Sequence, residues 1–170
     1  MVPRLIDALT KVIFFYLKED DILAFVLAKS EEISLVMPEW YDDEHEFFEI
    51  VLNSSKEVVG NITLRNRIDS STGNIEYFIF EEYRGNNYAK KALKLFARNV
   101  SEVSDEDLFI SILPNNTASI KTAVGAGALF HQVVEIPKDY RLSEDGKNKY
   151  AYMYIIKNDR GVNLEKDKSK

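Results

Sequence analysis

Arg84, Gly85, Asn86 and Asn87 stand between a strand-like run, Asn74–Phe80, and an amphipathic stretch that opens at Tyr88. Strand, glycine turn and helix N-terminus together form a phosphate-binding arrangement. The first amide hydrogens of a helix have no internal partner, and the helix dipole adds positive potential at the same end. Gly85 lets the backbone turn and approach a ligand with no Cβ in the way, and Arg84 adds a formal charge. A short glycine turn before a helix is also an ordinary connection, so this turn alone fits either use.

Other residues offer binding chemistry with a plainer alternative beside it. Residues 30–55 carry eight acidic side chains and no Lys or Arg. Such a run is either a solvated face or a border that attracts cationic amines. Trp40 and Tyr41 lie within it and can stack on a substrate or pin the loop to the core. Tyr150, Tyr152 and Tyr154 alternate and share one side of a strand, where they line a binding pocket or pack against a neighbouring strand. His45 and His131 read as surface residues, and two histidines are too few for a His-rich metal site.

The elements that must position these groups follow from periodicity. Val12–Tyr16 reads as a strand, and Asp20 or Asp21 caps a helix over Ile22–Ser30. Residues 31–46 read as irregular. Phe47–Asn53 and Glu57–Arg65 form a strand pair across the turn Asn53–Lys56, and after a loop at 69–73 Asn74–Phe80, apolar on both faces, reads as a central strand. From Ala89 an apolar stripe recurs at Ala92, Leu93, Phe96 and Val100, with Lys90, Lys91, Lys94 and Arg98 outside it, which predicts a helix. Leu108–Leu113 is a buried strand stopped by Pro114. Asn115 or Asn116 then caps a helix to about Val124, closed by Gly125 and Gly127, and Phe130–Ile136 and Tyr150–Ile156 are the last strands. The result is an α/β chain with a mixed sheet: one domain over residues 1–157 and a polar, frayed tail over 158–170.

Composition sets the outer limits. The chain has 170 residues, with ten Phe, nine Tyr and one Trp to fill a single core. Zero cysteines exclude a disulfide framework, a zinc ribbon, an iron–sulfur cluster and thiol catalysis by this chain. A net charge of −6 gives no overall positive field toward nucleic acid or anionic lipid. The apolar runs Val12–Leu17 and Ile22–Ala28 are split by Lys18-Glu19-Asp20-Asp21 and fall short of the roughly 18 residues a spanning helix needs. The chain reads as a soluble cytoplasmic protein without metal, nucleic-acid or membrane partners.

Tyr83-Arg84-Gly85-Asn86-Asn87-Tyr88-Ala89 resembles the acetyl-CoA pyrophosphate loop of the GNAT superfamily of N-acetyltransferases, written Arg/Gln-x-x-Gly-x-Gly/Ala. About thirty residues on, Asn116-Thr117-Ala118-Ser119 with Gly127 eleven residues after the Asn resembles that superfamily's second element. The resemblance covers roughly residues 47–157 and is nearer to the group acetylating ribosomal-protein N-termini and small amines. It implies a GNAT-like fold: a mostly antiparallel sheet flanked by helices, splayed between the strands at 74–80 and 108–113, with the pantetheine arm in the splay. It also implies a cofactor site of Ile79, Phe80, Glu81, Arg84, Gly85, Asn86, Asn87, Tyr88, Ala89, Asn116 and Ser119. Glu76 stands where several members place a water-linked base, although a carboxylate on this strand can equally pair with a neighbouring Lys or Arg. Tyr152, Trp40 and Tyr41 would then face the acceptor.

Two positions depart from the family pattern. Asn87 replaces a Gly, and Asn is both the non-Gly residue that best tolerates left-handed backbone and a favoured N-cap. Ala123 stands where many members carry a Tyr that protonates the departing thiolate. The resemblance therefore implies acetyl transfer from acetyl-CoA to a primary amine, by direct attack. A non-catalytic module that holds coenzyme A or acyl-CoA is the alternative, and a binder of some other phosphate ligand is a third. Exposed sheet edges near the C-terminus suit a homodimer.

Overall fold

The computed structural model describes residues 25–38, 46–65, 72–137 and 147–158. The expected strand Val12–Tyr16, the caps Asp20 and Asp21, the residues Trp40, Tyr41 and His45, and the tail beyond Asn158 lie outside them.

Five strands form the first sheet in sequential order: β1 (Phe25–Lys29), β2 (Ile33–Met37), β3 (Glu46–Leu52), β4 (Val58–Leu64) and β5 (Ile75–Ile79). Helix α1 (Tyr88–Val103) follows, then β6 (Leu108–Ile112), helix α2 (Thr117–Gly125), β7 (Leu129–Glu135) and β8 (Tyr150–Ile156). The last three strands make a second sheet in the order β6-β8-β7. Every ladder among the described strands is antiparallel. This is the mostly antiparallel sheet with flanking helices that the sequence led us to expect.

Three expectations need correction. The helix over Ile22–Ser30 is instead a strand over Phe25–Lys29, paired with Ile33–Met37 in a hairpin. A register shift between Val26 and Ala28 lets Val26, Leu27 and Ala28 all be buried, which removes the alternation that marks a half-buried strand. The segment 31–46 is likewise not all irregular. It contains β2, where Ile33, Ser34 and Leu35 are buried in succession. Finally, Asn74–Phe80 is not buried on both faces. Its strand β5 ends the first sheet, and Phe78 is 49% exposed.

Helix α1 forms because its apolar residues fall on one stripe, and the stripe packs on the first sheet. Ala92, Leu93, Phe96 and Val100 are all buried, and the Phe96 ring meets Phe48 of β3 at 5.8 Å between centroids. Each large side chain fully withdrawn from water contributes about 1.5–3 kcal/mol. On the polar side Lys91 pairs with Glu32 of the β1–β2 turn.

Among the described residues, hydrogen bonds join β5 to β6 at the start of the two strands. The Asn74 amide donates to the Phe109 carbonyl at 2.9 Å, and the Phe109 amide donates to Asn74 Oδ1 at 2.7 Å. Gly73 makes the approach possible, because a Cβ there would lie 2.7 Å from the Ser111 nitrogen and 2.9 Å from the Phe109 oxygen. Past this contact β5 and β6 belong to separate sheets. The chain thus has a gap whose closed end is Asn74–Phe109 and whose open end leads to the turn before α1.

Candidate active site

After Ile79 the chain makes a single 3-10 turn, Glu81–Tyr83, and then extends at Arg84 (φ −65°, ψ 160°). Gly85 has φ 85°, a left-handed value that an L side chain resists, and a Cβ there would meet nothing within 4 Å. Asn86 braces the turn by donating its Nδ2 hydrogens to the Tyr83 carbonyl at 3.0 Å. Asn87 is also left-handed (φ 61°, ψ 18°), and its carbonyl accepts the first helical bond, from Lys91 N at 3.0 Å. The tolerance of Asn for this backbone is therefore in use, whereas its capping ability is not: its side chain makes no cap hydrogen bond. No acidic residue stands in the first turn of α1. The opening amides of Tyr88, Ala89 and Lys90 are left without an intrahelical acceptor and without a neutralising carboxylate in that turn.

Arg84 turns back toward the strand. Its Nε donates to the Ile79 carbonyl at 3.1 Å, and its guanidinium lies 5.6 Å from the centre of the Phe78 ring. The register of β4 on β5 assigns the neighbouring backbone groups. Phe80 N donates to the Val59 carbonyl and Arg65 N to the Asn74 carbonyl, so the even-numbered residues face β4. By the alternation of an antiparallel ladder, the amides of Tyr77 and Ile79 point to the other edge, toward β6. Of the expected positions Ile79–Glu81, Ile79 thus presents its amide to the gap and Phe80 does not.

Side chains on β5 alternate in the same way. Glu76 carries its Oε2 3.3 Å from Arg65 Nε, with both groups about one-third exposed. Tyr77 lies on the opposite face, beneath the helices, and crosses to α2. Its hydroxyl is 3.0 Å from the Ser119 carbonyl and 2.7 Å from Ser119 Oγ. Burial raises the Tyr77 pKa above the usual phenol range, and the Ser119 hydrogen bond acts in the opposite direction. Asn116 caps α2, with Oδ1 accepting from Ser119 N at 3.0 Å. Ala123, one turn beyond Ser119, is fully buried.

The remaining expected residues stand apart. Tyr152 pairs with Ile112 and Val133, and the Phe130 ring meets both Tyr152 and Tyr154 edge-on at 5.9 Å. The tyrosine ladder therefore serves cross-strand packing, graded from exposed Tyr150 to buried Tyr154. His131 is exposed on β7, beside the Phe109 ring. A separate open groove of about 760 Å³ runs along the polar side of α1, lined by Lys91, Lys94 and Arg98 among others, and none of the expected site residues borders it. Sequence reasoning missed the contacts that Asn74 and Tyr77 make. Their signal was a Gly-Asn pair at the start of a strand and a phenol in its middle, both commonplace in isolation.

Tyr77 ties β5 to the capped second helix, and comparison with known proteins gives the fold its family. A family model described as an acetyltransferase (GNAT) domain matches residues 14–128. The chain belongs to the GNAT acetyltransferases. With the family comes the enzyme class, an acetyl-CoA-dependent acyltransferase.

Solved structures with this GNAT fold include the ribosomal-protein-S5-alanine acetyltransferase of Vibrio fischeri, at 16% identity and a TM-score of 0.56, covering 69% of this chain and 64% of that one. The microcin C7 self-immunity acetyltransferase MccE, solved with acetyl-CoA and AMP, aligns at 14% identity and a TM-score of 0.59, over 75% of this chain and 93% of that one. A spermidine N-acetyltransferase SpeG chimera from Vibrio cholerae and hSSAT aligns at 13% identity and a TM-score of 0.55, over 72% of each chain. At such identities the likeness concerns the fold. No curated protein matches the sequence.

Proposed function

We propose that the protein transfers an acetyl group from acetyl-CoA to a primary amine, of a small molecule or a protein N-terminus, by direct attack of the amine on the thioester. The observation that carries this reading is the open N-terminus of α1. Two left-handed residues, Gly85 and Asn87, lead into a helix whose first amides have no intrahelical acceptor and whose first turn has no acid. A pyrophosphate supplies the negative charge and the acceptors that this arrangement lacks.

The chemistry assigns roles to the chain's own groups. The attacking amine must be neutral, yet an alkyl ammonium has a pKa near ~10.4 and a peptide N-terminus near ~8. Glu76, or water beside it, removes the proton, and the pair with Arg65 keeps that carboxylate in place. The Ile79 amide, open to the gap, polarises the thioester carbonyl. Asn116 and Ser119 shape the helix end against the pantetheine arm. We place the protein in the cytoplasm, as a homodimer formed through its C-terminal sheet.

The second reading is a non-catalytic module that holds coenzyme A or acyl-CoA. Buried Ala123 favours it, because that position offers no proton to a leaving thiolate. Thiol release from acetyl-CoA in the presence of a panel of polyamines, amino sugars and short peptides tests the proposal. Transfer predicts release that depends on one class of amine. Release that no amine stimulates, alongside tight acetyl-CoA binding, leaves the module.

A further inference from the structure

We propose that the Tyr77 hydroxyl protonates the departing coenzyme A thiolate, reaching the reaction from the β5 wall of the gap while Ser119 holds it; this rests on the acetyl-transfer reading above.

The reaction moves two protons. The amine nitrogen forms a bond to the carbonyl carbon and gives up one proton to Glu76 or water. Collapse of the tetrahedral intermediate breaks the carbon–sulfur bond, and the sulfur leaves with the electron pair and needs the other proton. Ala123 has none to give. Ser119 lies four residues before Ala123, so the two share one face of α2. Tyr77 brings a phenol from β5 to that face, with its oxygen 2.7 Å from Ser119 Oγ and 3.0 Å from the Ser119 carbonyl. It stands two residues before Ile79 on the same strand, and both present their backbone amides to the open edge.

The environment suits an acid. Burial holds the phenol in its protonated form through the neutral range, since desolvation outweighs the Ser119 hydrogen bond. The Ser119 hydroxyl is placed to donate to the oxygen once the proton has left, which stabilises the phenolate. Solvent, which has received the amine's proton, then restores the phenol. No oxidant or further reactant enters. The other tyrosines of this region are engaged differently: Tyr154 is buried, and Tyr152 and Tyr154 both pack against Phe130.

The competing use of Tyr77 is a static tie between β5 and α2, and kinetics distinguishes the two. In Tyr77→Phe, kcat with a competent amine should fall by about 10²-fold, while acetyl-CoA affinity measured by calorimetry stays within about threefold of the parent. Incorporation of 3-fluorotyrosine at position 77 keeps the size and lowers the phenol pKa. It should move the alkaline limb of the kcat profile to lower pH. Parental kcat across the pH range in Tyr77→Phe, or an alkaline limb unmoved by fluorotyrosine, overturns the proposal. If Tyr77→Phe fails to fold, the fluorotyrosine protein decides alone. A parent that neither binds acetyl-CoA nor releases thiol defeats the transfer reading itself, and that failure is seen before any variant is made.

Discussion

Asn74 and Phe109 exchange two hydrogen bonds, one from the Asn74 amide to the Phe109 carbonyl and one from the Phe109 amide to the Asn74 side chain. This junction joins two sheets that otherwise share no ladder, and it fixes where the gap between β5 and β6 begins. The side-chain bond substitutes for a ladder partner that diverging strands cannot supply. Asn74→Ala removes the side-chain acceptor of the Phe109 amide and should cost about 1–3 kcal/mol, read as a lowered Tm. Acetyl-CoA affinity should fall with it, because the gap loses its closed end. An unchanged Tm would mean that the sheets are held together elsewhere.

Asn87→Gly should preserve or improve both stability and acetyl-CoA affinity, since Gly meets no steric penalty at φ 61° and the Asn side chain makes no cap bond there. Asn87→Val should lower Tm by the strain of a β-branched residue in left-handed backbone. A clear loss of binding in Asn87→Gly would reveal a ligand contact made by the Asn side chain.

Glu76→Gln retains the shape of the side chain and removes the base. Turnover should drop by about 10²-fold or more with little change in acetyl-CoA affinity. Parental turnover throughout the pH profile would reduce Glu76 to the partner of Arg65 and pass proton removal to water.

The buried phenol of Tyr77 also predicts a pH dependence of stability. Its folded pKa is raised by burial above the unfolded value near ~10. Below that value both states keep the proton, and its contribution is fully present. Above it the unfolded chain ionises first, so this contribution is lost as pH rises through the folded pKa. Melting curves from pH 9 to 11 should therefore fall more steeply for the parent than for Tyr77→Phe. Parallel curves would show that Tyr77 ionises as freely in the folded protein as in the unfolded chain.

The elements from Phe47 onward were legible because each carries a local signal. The turn Asn53–Lys56 between two strand-like runs marks the β3–β4 pair, a single apolar stripe marks α1, and Pro114 with Asn116 marks the start of α2. The β1–β2 hairpin was not legible. Consecutive burial of Val26–Ala28 and of Ile33–Leu35 erases the period of two, and the acidic residues around β2 resemble a loop. At the site, the phosphate turn could be read from Arg84–Asn87, since glycine and asparagine announce left-handed backbone. The junction at Asn74 and the crossing from Tyr77 to Ser119 are contacts between residues 35 and 42 positions apart, which no local pattern encodes.

The account's central claim is that the turn Arg84–Asn87 and the first amides of α1 hold the pyrophosphate of acetyl-CoA. Calorimetric titration of acetyl-CoA into the parent and into Gly85→Val tests it most directly. Valine opposes the backbone at φ 85° and places branched carbon in the open space before the helix. The parent should bind, and the variant, with far-ultraviolet circular dichroism like the parent's, should bind at least about tenfold more weakly, a loss of about 1.4 kcal/mol. Equal affinity in the two folded proteins would contradict the claim and move the cofactor away from this turn.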